Sequence, residues 1–198
     1  PETSGYFVVP MEIEVNGQVV SNVVGSLCII EPPQPEDKKF LWGLWAPNLI
    51  YYFSEDPIQA FKRMGVDWIP FLVHWDKIEP QENKFIWENE KDPFDGWMKK
   101  IKEEYGLNSM VMIDFPPEWA VDRTDSDTMR AFDLLPKAGA LSDFIYTFVN
   151  RYKDYVKIWA PLYDEPEGRI KGRESRYIEL MKVAYDAAKK ADPDCIIS

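Results

Sequence analysis

The sequence predicts an α/β fold: a partial (β/α)8 TIM barrel, about the first four βα units, preceded by a short β-hairpin element. Three observations predict it. From Phe40 onward, short apolar runs alternate with amphipathic segments, the signature of parallel strands joined by helical crossovers. The apolar runs centre near residues 42, 70, 111, 158 and 196. They recur roughly every 40 residues, so a closed barrel would need about 300. The turn after the first run, Trp45-Ala46-Pro47-Asn48, carries no glycine-rich phosphate loop, which argues against an open doubly wound sheet.

The elements follow in order. Met11 to Val15 alternates apolar and acidic residues, Asn16-Gly17 follows, and Gln18-Val19-Val20 resumes the apolar pattern, which is a strong hairpin signal. Ser26 to Ile30 reads as another short strand. Glu31 to Asp37 is a polar, proline-rich linker. The expected division is therefore a hairpin element with its linker over 1–37, and half a barrel over 38–198. Phe40 to Trp45 reads as barrel strand one. Asp56-Pro57 opens a helix with Ile58, Phe61 and Met64 on one face, and Gly65 stops it. Val66 to Val73 is strand two, with Pro70 inside it as a ladder breaker. Asp92-Pro93 opens the next helix, Phe94, Trp97, Ile101 and Tyr105 keep helical spacing, and Gly106 ends it. Ser109 to Asp114 is strand three. A long polar stretch runs from Val121 to Ala140. Leu141, Phe144, Phe148 and Tyr152 mark a third helix, and Val156 to Trp159 is strand four. Ser175 caps a fourth helix with Ile178, Met181, Tyr185 and Ala188 inward. Asp192-Pro193 stops it before a fifth strand at Cys195 to Ile197.

Composition excludes several functions. The 198 residues are 45% hydrophobic and 29% charged, ordinary globular usage rather than disorder. Lys and Arg number 23 against 34 Asp and Glu, a net charge of −11, so no nucleic-acid partner is expected. No apolar run is long enough for a membrane span. Cys28 and Cys195 are too few for a disulfide scaffold or a cysteine zinc site, and they can be free or bridged. With His74 the single histidine, no metal site is expected. Aromatic residues reach 15%, with 8 Trp, which suits either a large-residue core or a cleft whose flat rings stack on sugars.

In a barrel the chemistry sits at the C-terminal ends of the strands. Strand four runs into Tyr163-Asp164-Glu165-Pro166-Glu167. Glu165 is the candidate catalytic acid, because Asp164 beside it and partial burial would both resist its ionisation. The alternative is a solvated acidic turn. Strand one ends on Trp45, strand two on His74 and Trp75, and strand three on Asp114, with Trp119 close behind. These are the candidate substrate-binding residues, a mixture of rings and a few polar groups. Trp119 suits a stacking platform or a ring packed on the rim. His74 suits a weak acid or a hydrogen-bonded structural imidazole, and Asp114 a hydroxyl acceptor or a turn cap.

The series Gly65-Val66-Asp67-Trp68-Ile69, Trp75, Ile78-Glu79-Pro80, Lys84-Phe85-Ile86-Trp87, Tyr105-Gly106-Leu107 and Pro116-Pro117-Glu118-Trp119-Ala120 resembles clan A of the glycoside hydrolases. The resemblance spans residues 40–198 and implies a retaining β-glycosidase on a (β/α)8 barrel. It implies an acid/base role for Glu165, in Asp164-Glu165-Pro166 where the clan has Asn-Glu-Pro. Asp164 departs from the clan's Asn, which contacts the sugar 2-hydroxyl. Pro70 stands where the clan often has an Arg. The clan's nucleophile lies on strand seven, outside the four units read here.

The expected function is thus a retaining glycoside hydrolase acting by double displacement on a β-linked saccharide, present as an N-terminal half and needing no cofactor. The alternatives are a non-catalytic carbohydrate-binding or assembly subunit and a designed barrel fragment. Open strand edges near Phe40–Trp45 and Cys195–Ser198 make a complementary half-chain or a homo-oligomer the expected protein partner. The start of the chain reads as no signal peptide. Acidic charge and saccharide chemistry still suggest a secreted or cell-surface location.

Overall fold

The computed structural model describes residues 5–16, 18–29, 55–63, 65–87, 94–123, 130–162 and 170–198. Two sheets are present among them. The first is a hairpin of β1 (Gly5–Val15) and β2 (Gln18–Ile29), antiparallel, with Val15 opposite Gln18. Asn16 turns the chain at φ +54, a left-handed conformation that Asn tolerates and that hairpin turns require. The expected separate strand at Ser26 to Ile30 is not separate. β2 runs unbroken through Ile29, because β1 starts at Gly5 and offers ladder partners that far, Gly5 facing Ile29.

The second sheet is parallel: β3 (Trp68–His74), β4 (Asn108–Asp114), β5 (Val156–Ala160) and β6 (Ile196–Ile197) lie side by side in sequence order. That order decides between the two parallel architectures. A doubly wound sheet reverses direction at a switch point, whereas a barrel adds each strand beside the last. The fold is a partial TIM barrel, as the spacing of apolar runs implies. The sequence's strand one, Phe40 to Trp45, lies outside the described residues. Pro70 lies within β3, paired with Met110 of β4.

Helices cover one face of this sheet: α1 (Glu55–Arg63), a single turn α2 (Trp75–Ile78), α3 (Phe94–Glu103), α4 (Ala138–Tyr152) and α5 (Glu174–Ala191). Gly65 (φ +77) and Gly106 (φ +66) end α1 and α3 in the left-handed conformation that glycine reaches without strain. Ile69, Phe71, Val73, Val111, Ile113 and Trp159 share the core with the helices. Strand alternation puts Leu72, Met110, Met112 and Ile158 on the opposite, barrel-interior face. Ile196 pairs with Ile158 and is 54% exposed.

The stripe Leu141, Phe144, Phe148 and Tyr152 is buried along α4 as its spacing implies. Phe144 and Phe148 stack at 5.3 Å between ring centroids, and Phe148 meets Trp159 of β5 edge-on at 5.8 Å. Helix α5 corrects the sequence reading. Ile178 is 67% exposed and Tyr185 48% exposed; the buried stripe is Leu180, Ala184, Ala187, Ala188 and Ala191. About two turns of alanine, Ala184 to Ala191, let α5 pack closely. Met181 and Ala188 lie inward as expected, Met181 only partly buried, whereas Ile178 and Tyr185 are turned out, and Lys189 lies over the Tyr185 ring at 5.8 Å. Ser175 is not the cap either. Arg173 holds that position, and the Glu174 carboxylate accepts from the Gly172 amide at 2.9 Å. The polar stretch Val121 to Ala140 hides an apolar anchor. Val121, Leu134 and Leu135 are buried, and Val121 bridges to Pro136. Cys195 is a free, buried thiol.

The corrected phase of α5 is testable by urea denaturation. Ala184→Leu should cost about 1–3 kcal/mol through overpacking. Ile178→Ala should stay within about 0.5 kcal/mol, as for an exposed position.

Candidate active site

The parallel sheet delivers its chemistry-bearing residues to one end. His74 closes β3 and Asp114 closes β4, and the two are paired directly across the ladder on the barrel-interior face. Both are half-buried. The next residue, Phe115, has φ +56, a conformation that costs a non-glycine residue about 1–2 kcal/mol. It is held there from both sides. Its ring stacks on the His74 imidazole at 4.0 Å and 4° between planes, and its carbonyl accepts from the Asp76 amide at 2.9 Å. The Asp76 carboxylate lies 3.9 Å from His74 Nδ1 and 3.1 Å from Lys77 Nζ. The first strand-end loop is thereby stitched to the second.

Trp75, half of the expected pair of rings at strand two, points inward rather than toward a ligand. It is 1% exposed and stacks on Phe144 at 4.5 Å. It stands edge-on to Trp119 at 6.0 Å, and its indole N–H donates to Glu79 Oε2 at 3.0 Å. Trp119 sits on a single 3-10 turn, Glu118–Ala120, and is half-buried. Its indole N–H donates to the Glu79 carbonyl at 3.0 Å, and its own carbonyl accepts from Lys137 Nζ at 2.9 Å. The structure therefore brings His74, Asp114, Trp75 and Trp119 together at the strand ends. Trp75 is the inner support and Trp119 the outer ring. Trp45, Asp164 and Glu165 lie outside the described residues.

Glu79 is the residue that the sequence singled out only as part of Ile78-Glu79-Pro80. It is 3% exposed. Besides the Trp75 indole, its carboxylate accepts the Asn83 amide at 2.8 Å on Oε1. Burial pushes its pKa above the ordinary 4.5, with Glu82 and Asp143 adding to the effect and the two hydrogen bonds opposing it. Glu79 stands among other charged residues (Asp76, Lys77, Glu82, Lys84), so its local signal is only its spacing of four from Trp75.

A second polar cluster lies between α3 and α4. The Asp95 carboxylate accepts from Arg151 and from the Tyr152 hydroxyl, and Arg151 stacks over Trp87 at 4.5 Å. Burial, then the Asp95 carboxylate, push the Tyr152 hydroxyl well above the usual phenol range. A cavity of about 360 Å³ adjoins it, lined by Asp95, Gly96, Lys99, Arg151, Tyr152 and Tyr155. It belongs to the helix layer, not to the strand ends. Among the described residues no three His, Cys, Asp or Glu side chains gather as a metal-holding group. None of the described helices is long and apolar enough to cross a membrane.

This arrangement of sequentially ordered parallel strands is shared with solved (β/α)8 barrels, several of them glycoside hydrolases. A family 39 glycoside hydrolase from Bacteroides cellulosilyticus superposes with a TM-score of 0.64 at 17% identity, covering 98% of this chain and 38% of that one. Endo-glycoceramidase II from Rhodococcus sp. gives 0.58 at 12% identity, covering 85% and 50%. A psychrophilic family 10 endo-β-1,4-xylanase gives 0.53 at 20% identity, covering 80% and 51%. These likenesses establish the fold. The human protein Metalloprotease TIKI1 is 27% identical over 158 residues, 76% of this chain and 24% of that protein. The chain thus spans about a quarter of that relative and between 38% and 51% of these solved structures. No family profile matches it.

The buried Glu79 carboxyl makes a pH prediction. With its folded pKa raised, the native chain holds more protons than the unfolded chain between 4.5 and the folded value. The contribution of Glu79 to stability should therefore be fully present below that interval and be lost as pH rises through it, read as the difference between wild type and variant. Urea titrations from about pH 4 to 7 should show this loss in the wild type and not in Glu79→Gln; parallel slopes would contradict the assignment.

Proposed function

We propose that the strand ends form one half of the saccharide cleft of a retaining β-glycosidase of clan A. The observation that carries this reading is the pairing of His74 with Asp114 at the C-terminal ends of sequentially ordered parallel strands, with Trp119 on the turn that follows. The likeness to glycoside hydrolase barrels supports it. Trp119 offers a ring face to a pyranose, Asp114 accepts from a sugar hydroxyl, and Trp45 and Asp164 extend the same wall. Asp164 can only accept when ionised, so it prefers a hydroxyl donor where an amide would serve either way.

Glu165 is the acid/base in this reading. Its carboxyl proton passes to the glycosidic oxygen as the bond from that oxygen to the anomeric carbon breaks. A second carboxylate attacks the anomeric carbon from the opposite face and forms a glycosyl ester. The Glu165 carboxylate then takes a proton from water, whose oxygen displaces the ester and returns the second carboxylate. The two carboxyls must stand about 5 Å apart for this retaining course. The second one belongs to strand seven of such a barrel, beyond β6.

The same reading divides the chain into the hairpin element and linker, 1–37, and the barrel half, 38–198. The apolar interior face of the sheet favours completion by further strand–helix units. Ile196, half-exposed there, is the kind of side chain that a closed barrel buries. A secreted or cell-surface setting fits polysaccharide substrates.

Two measurements test the reading. In a barrel completed with its second half, Glu165→Gln should lower kcat on unactivated β-glycosides by about 10²–10⁴-fold. In the chain alone, calorimetry with xylohexaose and cellohexaose should show binding. Trp119→Ala should weaken it by about tenfold, the loss of one stacked ring face. Binding unchanged by Trp119→Ala would remove that ring from the site.

A further inference from the structure

We propose that Glu79 is a positioning residue: its carboxylate, clasped by Trp75 and Asn83, holds the carbonyl that fixes the Trp119 indole at the mouth of the strand-end cleft. The inference rests on reading that cleft as a saccharide site.

Three bonds meet at this one residue. Trp75 Nε1 donates to Oε2 at 3.0 Å and the Asn83 amide to Oε1 at 2.8 Å, so both carboxylate oxygens are used inside the protein. Trp119 Nε1 donates to the Glu79 carbonyl at 3.0 Å. The segment between is folded around the carboxylate. Gln81 bridges to Lys84, Asn83 adopts φ +60, and the Ile86 amide returns to the Ile78 carbonyl at 2.7 Å. A carboxylate suits this place because two N–H donors converge on it. A glutamine oxygen could accept one of them, but its NH2 would oppose the other. An aliphatic side chain would leave the Trp75 indole N–H buried without an acceptor.

The geometry links the clasp to the cleft. Trp75 is locked from two directions, by Phe144 beneath it and Glu79 beside it, and it presents its ring at 89° to Trp119. Trp119 thus has a fixed wall on one side and a fixed acceptor for its N–H. Its turn is tied on the far side by the Lys137 amide to the Ala120 carbonyl at 2.7 Å. A ring held this way loses little freedom when a sugar stacks on it, which is how a distant carboxylate raises affinity without touching the ligand.

The experiment uses the 198-residue chain, with Glu79→Gln and Glu79→Ala as variants. The far-UV circular-dichroism difference between wild type and Trp119→Phe isolates the coupling of the Trp75–Trp119 pair. Both Glu79 variants should lose at least half of that signal while still unfolding cooperatively. Their affinity for xylohexaose and cellohexaose should fall about tenfold. A folded variant with the full coupling signal and affinity within twofold of wild type overturns the proposal. If neither variant folds, hydrogen exchange in the wild type decides: the Trp119 indole N–H protected together with the Trp75 indole and the Asn83 amide supports it, and free exchange of the Trp119 N–H overturns it. If the wild type binds neither hexasaccharide, the saccharide reading fails by itself, and the coupling signal still decides whether Glu79 positions the ring.

Discussion

The described barrel half depends on an aromatic seam along α4. Phe144 carries Trp75 on one face and touches Phe85 at 6.5 Å; Phe148, one turn later, meets Trp87, Phe94 and Trp159. Through these two rings the strand-end loop after β3, the first turn of α3 and the core of β5 are held to a single helix. Each ring pair adds roughly 0.5–1.5 kcal/mol beyond the area it buries. The seam also sets position: it fixes where Trp75 stands, and Trp75 fixes the rim.

Polar contacts work on top of this apolar frame. Glu79, itself buried, gathers the exposed loop that follows it into a clasp, and the Phe115 carbonyl ties the loop after β4 to the loop after β3. The strained Phe115 backbone persists because its ring and its carbonyl are both engaged. Such over-determined backbone is common where side chains must be held still. At the other end of the sheet, the Lys157–Asp192 pair at 3.1 Å and the Lys189 bonds to the Pro193 and Cys195 carbonyls hold the short β6 against β5. A two-residue strand needs such help, since its ladder is too short to hold by itself.

Much of this was legible in the sequence. The stops at Gly65 and Gly106, the stripe on α4 and the strands at 109–114 and 156–159 all follow from local pattern, because each is a backbone or periodicity requirement met within a few residues. The phase of α5 was not legible. Ile178 and Tyr185 carry more apolar surface than alanine, yet Ala184, Ala187 and Ala188 face inward, on a helix that packs along α4. The apolar anchor at Leu134 and Leu135 was hidden for a similar reason, two residues in a polar stretch being too few to show a period.

The sequence by itself determined the alternation of strand and helix, the barrel-like repeat and the placing of His74 and Asp114 at the ends of their strands. Those depend on local spacing, which the chain carries in its own order. Only the tertiary structure decided which ring supports and which faces outward, and that a glutamate read as part of a motif sits at the centre of the clasp. Trp75, Glu79 and Trp119 are joined by contacts across as many as 44 residues of chain, so their roles arise from packing that no local pattern encodes.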